Sequence, residues 1–188
     1  MRRGFKSEAE RLAERTRSQF GLAPTATLDV RALVRHQGIQ VVSADELVGI
    51  GLLEELEALQ PYAFSAATFH LPDGRRVIVY NPCHDLARIN SDIAHELSHI
   101  LLEHKVREVQ QLGGHTFFTC DPDQEEEATW LGGCLLLPRP LLLREAYQHA
   151  DAEAIANRHQ VTLQMAKFRL NTSGVLLQAR RAQASRAR

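Results

Sequence analysis

Residues His95-Glu96-Leu97-Ser98-His99 have the types and the spacing needed to hold a metal ion and activate water beside it. The pattern is H-E-x-x-H. On a helix, positions i and i+4 sit about 40° apart around the axis, so both imidazoles can reach one ion. Zinc suits such a set: three protein ligands hold it, and a water in the fourth position has its pKa lowered to about 7. Glu96, next to the first histidine, is placed to act as general base toward that water. A zinc site with one ion per chain is the expectation, with His95 and His99 as two of its ligands.

The motif needs a helix, and the neighbouring residues supply one. Ile93, Ala94, Leu97, Ile100 and Leu101 recur at helical spacing and give it a buried stripe. Asn90 or Ser91 is the expected N-cap, with Asp92 in the first turn. A third ligand must come from another element. The next acidic cluster is Glu125-Glu126-Glu127, beyond a polar, glycine-containing stretch at 108–120 that reads as a loop. Asp121-Pro122 is a good helix start, and Pro138 is a stop. Gly132 and Gly133 each cost such a helix about 1 kcal/mol relative to alanine, so another backbone is expected to pack closely there.

Two stretches together resemble the ImmA/IrrE family of bacterial and phage metallopeptidases. They are Ala94-His95-Glu96-Leu97-Ser98-His99-Ile100-Leu101-Leu102 and Glu125-Glu126-Glu127-Ala128-Thr129-Trp130-Leu131-Gly132-Gly133-Cys134-Leu135-Leu136-Leu137-Pro138. The family's second signature is close to E-x-E-A-N-x-F-A-A-x-L-L-M-P, which the second stretch follows without a gap. The likeness extends upstream through Ile78-Val79-Tyr80-Asn81-Pro82 and Arg88, over roughly residues 5–145. It implies that Glu125, three residues before the alanine, is the third ligand. Helical geometry agrees, because Glu125, Ala128, Thr129 and Gly132 share one face. Glu126 and Glu127 point elsewhere and read as a solvated acidic first turn. Thr129 stands where the family has Asn, one turn after the ligand, where a partner for a histidine ligand belongs.

Other candidates around the centre are less tightly bound to the motif. Glu103 lies one turn beyond His99, and His115, Tyr80 and Arg88 are candidates for stabilising an oxyanion. His104 lies nine residues after His95, about half a turn round a continuous helix, which excludes it from the metal. His36, His70, His149 and His159 read as surface or capping residues.

The elements that must position the site follow from the rest of the pattern. Residues 7–20 form an amphipathic helix, and Asp29 caps a second that ends at Gly38. Extended runs at 39–43, 48–53, 62–69 and 76–80, with a turn at Asp73-Gly74, predict an antiparallel sheet of three or four strands. Residues 62–69 are its candidate edge, to which a substrate segment can add as a strand. The expected class is α+β: a zincin-like catalytic domain with a small antiparallel sheet and an active-site helix over residues 1–148. A helix-turn-helix-like segment over 149–178 packs on it, and 179–188 is a tail without fixed structure.

Residues 151–170 carry two caps, Asp151 and Thr162, around a short joint at 157–161. If they read DNA, Gln164, Lys167 and Arg169 face a groove. If they pack, Ile155, Val161, Met165 and Leu170 do so. Three basic residues against two acidic ones favour packing, and no direct DNA binding is expected.

At 188 residues and 44% hydrophobic, the chain can bury a core, and a net charge of −1 gives no footprint for nucleic acid or membrane. No apolar run reaches membrane-spanning length, and Met1-Arg2-Arg3-Gly4 is not followed by a signal-peptide core. Cys83, Cys120 and Cys134 form no C-x-x-C pair and read as free thiols in a reducing cytoplasm. The resemblance implies an endopeptidase that cuts a helix-turn-helix transcriptional repressor and so relieves repression of a mobile element or stress genes. The alternative is a metal-containing DNA-binding or toxin–antitoxin regulatory protein without proteolysis; Glu96 argues against it, since a structural metal needs no base there.

Overall fold

The computed structural model describes residues 1–104 and 121–185 with their side chains, and the backbone alone for 108–112, 115–119 and 186. Helix α1 (Phe5–Gln19) buries Phe5, Ala9 and Ala13 along one face. Asp29 accepts a hydrogen bond from the Ala32 N–H and so starts α2 (Val30–His36). Strand β1 (Gln40–Ser43) follows, then two short helices, α3 (Asp45–Val48) and α4 (Ile50–Leu59).

Residues 48–53, expected as a strand, are therefore helical. Gly49, at φ 81, breaks the chain between two helical turns, and the following Leu/Glu-rich run favours helix. A short apolar run has no periodicity of its own to separate strand from helix.

Strands β2 (Ala66–His70) and β3 (Arg76–Tyr80) form an antiparallel hairpin whose turn uses Gly74 at φ 84. The order is β1-β3-β2, and β1 runs parallel to β3. The sheet is thus mixed rather than antiparallel: α3, α4 and β2 form the crossover that returns the chain in the same direction. Strand β2 is terminal, as expected for the segment at 62–69, although the strand itself begins later.

Side chains alternate across this sheet. Ile78 enters the main core, whereas Val77 and Val79 turn to the other face and meet Ala44 and Leu53. Helix α5 (Leu86–Leu101) lies on the Ile78 side. Where a loop is expected at 108–120, β4 (Glu108–Leu112) and β5 (His115–Thr119) pair as an antiparallel hairpin.

Helix α6 (Pro122–Leu136) is capped by Asp121 and stops before Pro138. Its C-terminal carbonyls have unusual partners: the buried Arg17 guanidinium donates to the Leu135 carbonyl at 2.7 Å, and that of Arg169 to the Leu137 carbonyl at 3.1 Å. Two cations at the negative end of the helix dipole satisfy acceptors that would otherwise be orphaned. Burial lowers the Arg17 pKa to about 10, which leaves it charged at neutral pH.

Helices α7 (Arg139–Tyr147), α8 (Ala152–His159), α9 (Leu163–Thr172) and α10 (Val175–Arg186) complete the chain. Asp151 and Thr162 cap α8 and α9 as expected, and Ile155, Val161 and Leu170 are buried. The segment expected to lack structure, 179–188, is helical as far as Arg186. Val175 and Ala179, one turn apart, bury against the core, and Arg139 ties the Ser173 carbonyl and Gln178 to α7. Arg169 does not face outward either. It is fully buried and pairs with Glu10 of α1 at 2.7 Å. His159 is likewise buried, between Glu145 and Thr27, rather than on the surface. Among the described residues no helix is long and apolar enough to cross a membrane.

Candidate metal centre

Helix α5 starts five residues earlier than the candidate caps. Asp85 accepts from the Arg88 N–H, while Asn90 donates to the Gln160 carbonyl and Ser91 to the Ala87 carbonyl, and Asp92 sits in mid-helix. The early start leaves the motif deep in the helix. Ile93, Ala94, Leu97 and Ser98 are fully buried on one side, and the two histidines project from the other.

Helix α6 crosses α5 at Gly132. A Cβ there would lie 3.3 Å from the Ala94 carbonyl carbon and oxygen and 3.4 Å from the His95 nitrogen. A side chain there would press the two backbones apart by a few tenths of an ångström, and their close approach brings Glu125 to the histidines. Gly133 has a different neighbour. Its Cβ would meet Arg169 Cδ at 2.7 Å and Met165 Sδ at 3.0 Å, on α9 rather than α5.

Donor atoms of His95, His99 and Glu125 all lie within 4.8 Å of one another. The His95 and His99 Nε2 atoms are 3.0 Å apart; Glu125 Oε2 is 3.2 Å from His95 Nε2, and its Oε1 is 3.6 Å from His99 Nε2. Ligands about 2.0–2.1 Å from one tetrahedral ion are about 3.3 Å from each other, so these residues fit zinc. The outer ring nitrogens are engaged as well. His95 Nδ1 is 3.4 Å from Thr129 Oγ1, and His99 Nδ1 is 2.9 Å from His104 Nδ1. Partners on Nδ1 orient each ring with Nε2 toward the common centre.

Glu96 is buried beside this set, and the Thr68 hydroxyl of β2 donates to its Oε2 at 2.7 Å. Thr68 carries no sequence signal, because only the packing of the sheet edge against α5 brings it there. The expected position of His104, about half a turn away from His95, assumes a continuous helix. The helix ends at Leu101, Glu103 takes a left-handed φ of 53, and the chain turns back so that His104 reaches His99. Burial lowers the His104 pKa, against the opposing pull of Glu127.

Glu127 is not a solvated first-turn acid. It is buried, lies 3.6 Å from His104, and accepts from the Arg2 N–H at 3.1 Å. Glu126 is exposed, near the N-terminal amine.

Among the described side chains, the remaining candidates are not part of the three-donor set. Glu103 is exposed in the turn that closes α5. Tyr80 packs under the Arg31 guanidinium. Arg88 bonds Asp92 and Ser65 and covers the Tyr62 ring, tying α5 to the chain before β2. His115 begins β5, and its side chain lies outside the described residues, as does Cys120. Cys83 and Cys134 are free thiols; burial pushes the Cys134 pKa up to about 12.

A solved structure of a Mycobacterium tuberculosis transcriptional regulator is similar to this chain in fold, with a TM-score of 0.59 at 21% identity. The likeness covers 88% of this chain and 47% of that one, so the chain spans less than half of that protein's length. No curated protein matches. Residues 35–171 match the model of a peptidase family, described as the IrrE N-terminal-like domain. That stretch begins inside α2 and continues past the resemblance seen in the sequence to take in α8 and most of α9. It holds the three donors, Glu96 and Thr68 together, and on a match of that extent the chain belongs to the IrrE N-terminal-like peptidase family.

Proposed function

We propose that this protein is a zinc-dependent endopeptidase whose substrate is a helix-turn-helix transcriptional repressor. The observation that carries the reading is the convergence of His95, His99 and Glu125 with Glu96 buried at their side. His95, His99 and Glu125 hold the ion, and zinc, when bound, supplies a Lewis acid that polarises a carbonyl and makes water more acidic. Glu96 takes the proton from the attacking water and passes it to the leaving amine. The Thr68 hydroxyl fixes the rotamer of Glu96 for both transfers. Thr129 and His104 hold the two imidazoles in the tautomer that presents Nε2 inward.

The regulatory half of the proposal rests on family membership, and a transcriptional regulator of similar fold is in keeping with it. We read α8 and α9 as a packing unit rather than a DNA reader. Arg169 is spent inside the fold and Arg158 pairs with Glu145, which leaves Lys167 as the one uncommitted fixed cation of that segment among its described side chains. A reducing cytoplasm as the compartment is supported by the free thiols Cys83 and Cys134.

The test pairs metal analysis with cleavage. Purified protein is expected to carry about one zinc per chain, lost in His95→Ala and Glu125→Ala. Glu96→Gln is expected to keep the metal and lose cleavage of a repressor encoded beside the gene by about 10²–10⁴-fold. Cleavage by Glu96→Gln at the wild-type rate would end the peptidase reading.

A further inference from the structure

The sheet face turned away from α5 carries a surface that the metal centre does not use. Thr68 reaches Glu96, so its neighbours Ala67 and Phe69 point to the opposite side, with Val79 and Val77 as their partners in register. Helices α3 and α4 cover this side incompletely. They leave an open groove of about 320 Å³ lined by Leu47, Val48, Leu52, Leu56, Phe64 and Phe69. The lining is strongly exposed for apolar residues: Leu47 is 62% exposed, Leu52 57% and Phe69 50%. A contiguous apolar surface of this kind marks a binding site.

Charge specifies what the groove takes. No Lys or Arg occurs between Arg35 and Arg75, while Asp45, Glu46, Glu54 and Glu55 stand exposed on the helices that form the groove. The chain as a whole is nearly neutral, at −1, so the negative charge is concentrated around the apolar floor. Strand β2 ends the sheet. An extended peptide laid along the groove beside it can turn alternate side chains down onto the apolar floor and the others up toward the acidic rim of α3 and α4.

We propose that this groove is the docking site for an extended segment of the protein substrate that carries apolar residues alternating with lysine or arginine. A DNA-binding protein, rich in cations that neutralise phosphates, supplies such segments. The inference rests on the peptidase reading for the identity of its occupant, but docking itself needs no chemistry at the metal.

The experiment measures fluorescence anisotropy of labelled decapeptides on zinc-loaded Glu96→Gln protein, which binds without cutting. Three probes are used: alternating Leu-Lys, alternating Leu-Glu and alternating Ser-Lys. Leu-Lys is expected to bind about tenfold or more tighter than either of the others. Leu52→Glu, at an exposed position, is expected to weaken Leu-Lys by about tenfold, and Glu54→Lys with Glu55→Lys to shift preference toward Leu-Glu. His95→Ala is expected to leave Leu-Lys binding intact. Equal binding of Leu-Lys and Leu-Glu, or Leu-Lys binding unaltered by Leu52→Glu in protein of native circular dichroism, overturns the proposal even where a repressor is cleaved. Selective binding together with no cleavage of any repressor sustains the docking site and removes the peptidase reading. Concentration-dependent dimers abolished by Leu52→Glu, with all three probes bound alike, would assign the groove to a second copy of the chain and also overturn the proposal.

Discussion

Gly132→Ala tests whether the α5–α6 approach sets the metal centre. Alanine raises helix propensity by about 1 kcal/mol over glycine. Its Cβ would meet the Ala94 carbonyl at 3.3 Å and the His95 nitrogen at 3.4 Å, tight enough that the neighbour must give by a few tenths of an ångström. Overpacking of a dense interface costs about 1–3 kcal/mol, so the apo protein should range from unchanged to about 2 kcal/mol less stable. The larger effect falls on the metal. Giving way means moving His95 away from α6, which carries Glu125, and metal sites tolerate about 0.2 Å in their ligand distances. If re-seating the ion restores only about 1.4 kcal/mol of that strain, zinc affinity drops about tenfold. Gly133→Ala is the control, because its conflict lies with Arg169 and Met165 of α9. It should destabilise the fold and leave zinc affinity within about twofold of wild type. Thermal unfolding of the apo proteins and zinc competition against a chromophoric chelator give the two readouts. A Gly132→Ala protein more stable by about 1 kcal/mol, with wild-type zinc affinity, would refute the reasoning.

Removing the partner of His99 in His104→Ala should weaken zinc binding about 10–100-fold, with partial rescue by His104→Asn; unaltered affinity in competition titrations would show that the Nδ1 contact does not orient the ring. Burial lowers the pKa of His159, against the pull of Glu145, so below the ordinary histidine value of about 6.5 the unfolded chain binds more protons than the folded one, and stability falls as pH drops through that value. The midpoint of thermal unfolding should therefore fall between about pH 7.5 and about 5.5, and His159→Gln should flatten that fall; identical pH profiles for the two proteins would exclude His159 as its source.

What could be read from the sequence is what depends on local spacing. His95 and His99 are related by one helical turn, and Glu125 and Thr129 by another, so their faces follow from the helix period alone. Thr68 and His104 do not follow. Thr68 depends on which sheet edge meets α5, and His104 on a left-handed residue, Glu103, that no glycine announces. The helix start differs from the expectation because Asp85, Asn90 and Ser91 are all acceptable caps, and Leu86, which is 45% exposed, stands outside the buried stripe that begins at Ile89. Parallel pairing of β1 with β3 is equally hidden, since strand direction follows from the path of the crossover and not from alternation within either strand. Glu127 is buried, and its contacts are with Arg2 and His104, which are distant in sequence or beyond the helix end.

The arginines at the end of α6 also bear on when the protein becomes competent. Arg17 reaches Leu135 across 118 positions, and Arg169 reaches Glu10 across 159. At a synthesis rate of about 5–20 residues per second, α1 waits on the order of ten to thirty seconds for its partner on α9. Until α6 has been made, Phe5, Ala9 and Ala13 lack the helix that packs on α1 in the finished fold, a long-range closure of the kind that slows folding. A nascent chain that has already made both histidines and Glu125 still lacks Arg169, one of the two cations at the end of the helix carrying Glu125. The second of those cations reaches its carbonyl only after residue 169 has left the ribosome.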